Sequence, residues 1–114
     1  MSTHLDERIS IQVELALTSA VACADMRVQQ ECAARAAGLS GAEIDAARDR
    51  RCFDLRAKAA VVLACALRST PVPATALLAS PLAAKARRAG LHDTEIAAIH
   101  TMAEQAVTTR ESLQ

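Results

Sequence analysis

The sequence predicts an all-α fold, a compact bundle of about six helices, on three observations. First, a helix stop followed by a helix start occurs twice: Ala34, Arg35, Ala37, Gly38, Leu39, Glu43, Ile44 and Ala46 return as Ala86, Arg87, Ala89, Gly90, Leu91, Glu95, Ile96 and Ala98. Each copy closes a helix on a glycine suited to left-handed backbone, and in the first copy Ser40 and Glu43 form a capping box that opens the next helix. Second, 52% of the residues are apolar and nearly half of those are alanine, the best helix former. Third, only one segment alternates as a strand does, and no other segment offers it a partner. A lone strand leaves its backbone groups unpaired.

That segment comes first in the chain. Ile9, Ile11, Val13, Leu15 and Leu17 alternate with Ser10, Gln12, Glu14 and Ala16, yet Ile9, Val13, Ala16, Leu17 and Ala20 also share one helical face. The chain from Arg8 to Ala20 is therefore read as helix. From Asp25 to Ala37 nothing breaks a helix; Asp25 is a cap candidate, and Met26, Ala33, Ala36 and Ala37 give a stripe opposite most of Arg27, Gln30, Glu31 and Arg35. Ser40 opens a short helix to about Arg48, and Asp54 caps the next, whose core AKAAVVLACAL is apolar on nearly every side and is expected to be the central buried helix. Thr70-Pro71-Val72-Pro73 breaks the chain, because each proline removes a donor and restricts its predecessor. A helical turn at Ala74 to Ala79 follows. Ser80 then caps a helix with Pro81 at its first position, and the last helix, from about Asp93 to Arg110, carries Ile96, Ile99, Ala103, Ala106 and Val107 on one side.

One helical domain over residues 1–114 is expected, with the repeat at 34–47 and 86–99 inside it. Alanine buries little area, at about 25 cal/mol per Å² of apolar surface, and the one aromatic is Phe53, so a monomer's core would be thin and a homo-oligomer is expected. Thirteen basic and thirteen acidic residues cancel, which argues against nucleic acid and membrane surfaces as partners. The arginines in Asp49 to Arg51 and Ala86 to Arg88 read as solvated helix ends. The N-terminal residues are acidic where a secretory signal would be basic and then apolar, and the longest apolar run, Ala59 to Leu67, is about half the roughly 20 residues of a membrane span. Four cysteines without scaffold spacing fit a reducing cytoplasm.

Chemistry centres on Cys23, where a thiol would face the start of a helix. Cys32 lies on the far side of that helix, Cys65 reads as core, and Cys52 sits in the loop before Asp54. His4 falls near the N-terminus, and His92 and His100 lack a third ligand at metal spacing, so neither a metal nor another cofactor is expected.

The order of elements resembles the alkylhydroperoxidase D and carboxymuconolactone decarboxylase superfamily. The likeness runs from Ile9 through the cysteine-bearing helix, AARAAGLSGAEI, AKAAVVLACAL and KARRAGLHDTEIAAI. It implies a compact all-helical fold, self-association, and peroxide or disulfide reductase chemistry at a C-x-x-C-x-x-x-H motif. Counting back from Gly38, Cys23 falls on the first cysteine, Met26 on the second and Gln30 on the histidine. In the full motif one thiolate attacks the peroxide, the second thiol resolves the sulfenic acid and the imidazole moves the proton. Met26 cannot form the disulfide and Gln30 is no base, so resolution has to come from a thiol elsewhere in the fold, from a partner chain or from a small thiol reductant. The family's acidic residue aligns with Ile11, and Glu14 lies one helical turn away. Glu14 is thus the carboxylate for an alternative acid–base, decarboxylase-like activity; a non-catalytic, ligand-binding oligomer is the third reading.

Overall fold

The computed structural model describes residues 6–19 and 23–112, with side chains as far as 106. Expectations at His4, Ala20 and the Val107 side chain lie outside the described residues. The elements are α1 (Glu7–Thr18), α2 (Ala24–Ala36), α3 (Gly41–Arg48), α4 (Leu55–Ser69), α5 (Ala74–Leu77), α6 (Pro81–Arg88) and α7 (Asp93–Ser112), with no strand among the described residues. The fold is all-α, and the short α5 adds a seventh helix to the expected six or so.

The alternating segment is helical because it is buried on two sides. Ile9, Val13, Ala16 and Leu17 join the main core with α4 and α7, whereas Leu15 and the half-buried Ile11 belong to a second cluster with Ala34, Leu39, Ile44 and Ala47. A helix sandwiched between two cores carries apolar residues at i, i+4 and also between them, which mimics a period of two. Asp6 caps its start, accepting the Arg8 N–H at 2.9 Å.

Helix boundaries follow local chemistry. At the end of α2 the Gly38 N–H reaches the Arg35 carbonyl and the Leu39 N–H the Ala34 carbonyl, both at 3.0 Å, with Gly38 at φ 96°. This pair of bonds is a Schellman motif, and Leu39 and Ala34 bury their side chains together beside it. The second copy repeats it from Gly90 to Arg87 and Leu91 to Ala86, with Gly90 at φ 103°. A third instance escapes the sequence reading. At the end of α3, Arg50 N–H bonds Ala47 and Arg51 N–H bonds Ala46, so Arg50, at φ 61°, holds the position that glycine fills elsewhere.

The two helix starts differ in one respect. Ser40 and Glu43 exchange both bonds of the capping box. In the second copy His92 stands where Ser40 stood, so one bond remains, from the His92 N–H to the Glu95 carboxylate at 2.9 Å. Glu95 uses its other oxygen on Arg56 of α4, at 2.5 Å, and is itself buried. The pair ties the beginnings of α4 and α7 together.

The central layer is α1, α4 and α7, with α3 and α2 on the outer side of α1 and α6 against α4 and α7. Two expectations need correction. The α2 stripe Met26, Ala33, Ala36 is exposed, and the helix instead turns Gln30 and Ala34 inward, because α2 packs mainly on α1 and α3 and a hydrogen-bonded glutamine is cheap to bury. α4 is central on one side only: Ala57, Ala60, Val61, Leu63, Ala64 and Leu67 are buried, but Leu55 and Val62 are exposed and Cys65 is half-buried rather than core.

Candidate functional site

The corner between α1 and α2 carries the sequence-predicted site. Cys23, rather than Asp25, is the N-cap residue of α2: its backbone is extended at φ −77° and ψ 171°, and its carbonyl accepts the Arg27 N–H at 2.9 Å. Its side chain makes no capping bond and is exposed. The first-turn N–H groups therefore keep no thiol partner. Asp25 lies in that first turn, and Arg27 one turn on sends its guanidinium to the Ser19 carbonyl at 2.9 Å, bracing the end of α1 against α2.

Met26 and Gln30, the positions that follow Cys23 at i+3 and i+7, have different surroundings. Met26 is partly exposed and offers a thioether beside the thiol's face of the helix. Gln30 is buried; its amide donates to the Thr18 hydroxyl at 2.9 Å, which in turn donates to the Glu14 carbonyl at 2.8 Å. The chain of bonds fixes α2 on α1. It ends on the Glu14 backbone, and the Glu14 carboxylate itself is exposed, with no hydrogen bond to Cys23. Gln30 lies about 10 Å along the helix from Cys23, so these two residues do not share one contact site.

The other cysteines are elsewhere. All four are free. Cys32 is exposed on α2, nine residues on, as its spacing predicts. Cys52 and Cys65 both pack against the main core and lie close enough for their charges to interact. Burial pushes the Cys52 thiol up to about 11, helped by the Asp54 carboxylate and by Cys65. The structure thus brings together the two cysteines that the sequence left unconnected.

Among the described residues no group of three or more His, Cys, Asp and Glu side chains is arranged to hold a metal ion. Of the histidines, His100 is the one that sequence reasoning undervalued. It is buried, with Nε2 2.7 Å from the Val72 carbonyl and Nδ1 2.7 Å from the Glu104 carboxylate. Both neighbours are acceptors, and the ring links α7 to the Pro71–Pro73 segment on one side and to Glu104 on the other. The signal available in sequence was its place one residue after Ile99 on a buried helix face.

No protein-family model matches this chain, and no curated protein and no solved structure does so either. No helix among the described residues is long and apolar enough to cross a membrane.

Proposed function

We propose that the protein is a thiol-dependent peroxide or disulfide reductase of the alkylhydroperoxidase D-like type, with Cys23 as the attacking sulfur and an external small thiol as reductant. The observation that carries this reading is the exposed Cys23 at the N-cap position of α2, with no side-chain partner of its own. The resemblance to that superfamily rests on the order of the sequence segments from Ile9 through AARAAGLSGAEI and AKAAVVLACAL to KARRAGLHDTEIAAI, and on the place of Cys23 ahead of the first of these turns.

The chemistry follows from what the corner contains and lacks. A Cys23 thiolate attacks the terminal oxygen of a hydroperoxide; the S–O bond forms, the O–O bond breaks, and the alcohol leaves with a proton from water. Backbone N–H groups of the first turn of α2 are the nearest fixed donors to the charge on the departing oxygen. One equivalent of small thiol then displaces water from the sulfenic acid to give a mixed disulfide. A second thiol releases Cys23 and leaves as the oxidised dimer. Met26 cannot replace this external resolution. We place such a protein in a reducing cytoplasm, where four free cysteines and a pool of small thiols coexist.

The acid–base reading on Glu14 has weaker support, because an exposed carboxylate with no buried partner resembles a solvated surface group. The test is a peroxide-consumption assay with a small thiol, comparing wild type, Cys23→Ser and Cys52→Ser. Serine is a better N-cap than cysteine, so Cys23→Ser keeps α2 and isolates the chemistry. Thiol-dependent turnover lost in Cys23→Ser and kept in Cys52→Ser supports the proposal; turnover that survives Cys23→Ser refutes it.

A further inference from the structure

We propose that the outward face of α4 is the interface of a homodimer, in which two α4 helices pack antiparallel about Val62. The inference is independent of the thiol chemistry at Cys23. It starts from a conflict: α4 is the most apolar helix of the chain, yet one of its sides is uncovered. A helix that is apolar all round is ordinarily buried all round. Phe53 is 73% exposed, Leu55 66% and Val62 42%.

The spacing along this side identifies the kind of occupant. The exposed Leu55, Val62 and Ser69 and the half-buried Ala59 and Ala66 between them follow one another at intervals of four, three, four and three, which is the repeat of a helix–helix seam, and they lie opposite the buried row Ala57, Ala60, Ala64 and Leu67. The alanines between the larger side chains allow a second helix to approach closely. A helix therefore fits this face better than a small molecule or an extended peptide.

Charge and register favour a second copy of this chain. No acidic residue occurs in α4, and of its basic residues Arg56 is held by Glu95 and Arg68 by the Leu17 carbonyl. Lys58 is the remaining charge beside the seam, too little to select an acidic partner. A parallel pair would set the two Lys58 side chains abreast. In the antiparallel pair they stand about 12 Å apart along the axis, each level with Ala66 of the other copy. The same register puts Val62 against Val62, Leu55 level with Ser69, and Phe53 level with Pro71 of the other copy. One arrangement thus covers all three large exposed side chains.

The area is adequate. Phe53, Leu55 and Val62 expose on the order of 300 Å² per copy. Both copies together thus cover about 600 Å² from these three side chains, and the alanine row, the Lys58 stem and the Pro71 segment add to it, which places the pair at the small end of specific interfaces.

Sedimentation equilibrium on the full chain tests this, with wild type, Val62→Glu, Phe53→Ser and, as a control at an exposed apolar side chain of α2, Val28→Glu. The expected result is a concentration-dependent dimer for wild type and Val28→Glu. Dissociation should be about 100-fold easier in Val62→Glu, where a carboxylate would be buried on the axis, and measurably easier in Phe53→Ser. If Val62→Glu loses helicity by circular dichroism, Phe53→Ser, which changes only a loop side chain, decides. A monomeric wild type, a dimer indifferent to Val62→Glu or Phe53→Ser in folded protein, or a dimer broken by Val28→Glu would each overturn the proposal. A Val62→Cys variant with Cys23, Cys32, Cys52 and Cys65 replaced by alanine then fixes the direction: oxidation should link 62 to 62, and failure to do so in a folded dimer would refute the antiparallel register.

Discussion

Single side chains separate the four cysteines more sharply than their sequence neighbourhoods do. Cys23 is exposed and unpartnered, whereas burial, Asp54 and Cys65 hold the Cys52 thiol at about 11. Two units above its ordinary value, Cys52 has about a hundredth of the usual thiolate, partly offset by the greater nucleophilicity of a more basic sulfur, which leaves about a tenfold deficit. Timed alkylation at pH 8 with peptide mapping should therefore label Cys23 at least tenfold faster than Cys52. Equal rates would show that Cys23 has no advantage of access or state. Arg50 gives a second residue-scale prediction. Left-handed backbone costs a residue with a Cβ about 1–2 kcal/mol, and glycine gives part of that back through its unfolded-state entropy. Arg50→Gly should stabilise the protein by about 1 kcal/mol, seen as a higher urea midpoint at unchanged slope. No gain would mean that the Arg50 side chain contributes contacts that outweigh the strain. Gly38 and Gly90 were legible as turn positions because glycine advertises the conformation; Arg50 was not, because the same turn here is imposed by its two backbone hydrogen bonds.

Among the elements, α3 is the one whose stability depends most visibly on a cap. The Ser40 N–H above all, with smaller help from the Ser40 hydroxyl and Arg8, holds the Glu43 carboxyl below its ordinary 4.5, although desolvation, the second-largest effect, opposes it. A carboxyl lowered on folding stabilises fully above its unfolded value, and that contribution is lost as pH falls through the lower folded value. The stability difference between wild type and Glu43→Gln should accordingly be constant above about pH 5 and close as the pH drops further. A difference that grows on acidification would contradict the assignment. This box was readable as Ser40-x-x-Glu43, and the sequence placed most helix ends within a residue or two for the same reason: Asp54, Ser80 and Pro81 carry their roles in their side chains. The failures are equally physical. Alternation in α1 reflects two cores meeting one helix, and the inward face of α2 is polar because Gln30 finds Thr18. Neither tertiary partner is visible in local periodicity.

For the molecule as a whole, fold class was legible from punctuation and composition, while the relation among distant side chains was not. Nothing in the chain order announces that Cys52 and Cys65 approach each other, that Glu95 joins α7 to Arg56, or that α4 leaves a helix-shaped seam open. The site itself was half legible. Cys23 was found from its distance to Gly38, and its position at a helix start needed only local rules; that its side chain is exposed and makes no capping bond required the structure. The proposed reductase cycle, closed by an external thiol, is the centre of the functional account. Intact mass and peptide mapping after one equivalent of hydroperoxide, with a small thiol added afterwards, test it most directly. The account predicts one added oxygen on Cys23, converted by the small thiol to a mixed disulfide on the same residue. A loss of two hydrogens with Cys23 linked to Cys32, Cys52 or Cys65 of the same chain, or oxidation that leaves Cys23 untouched, would contradict it.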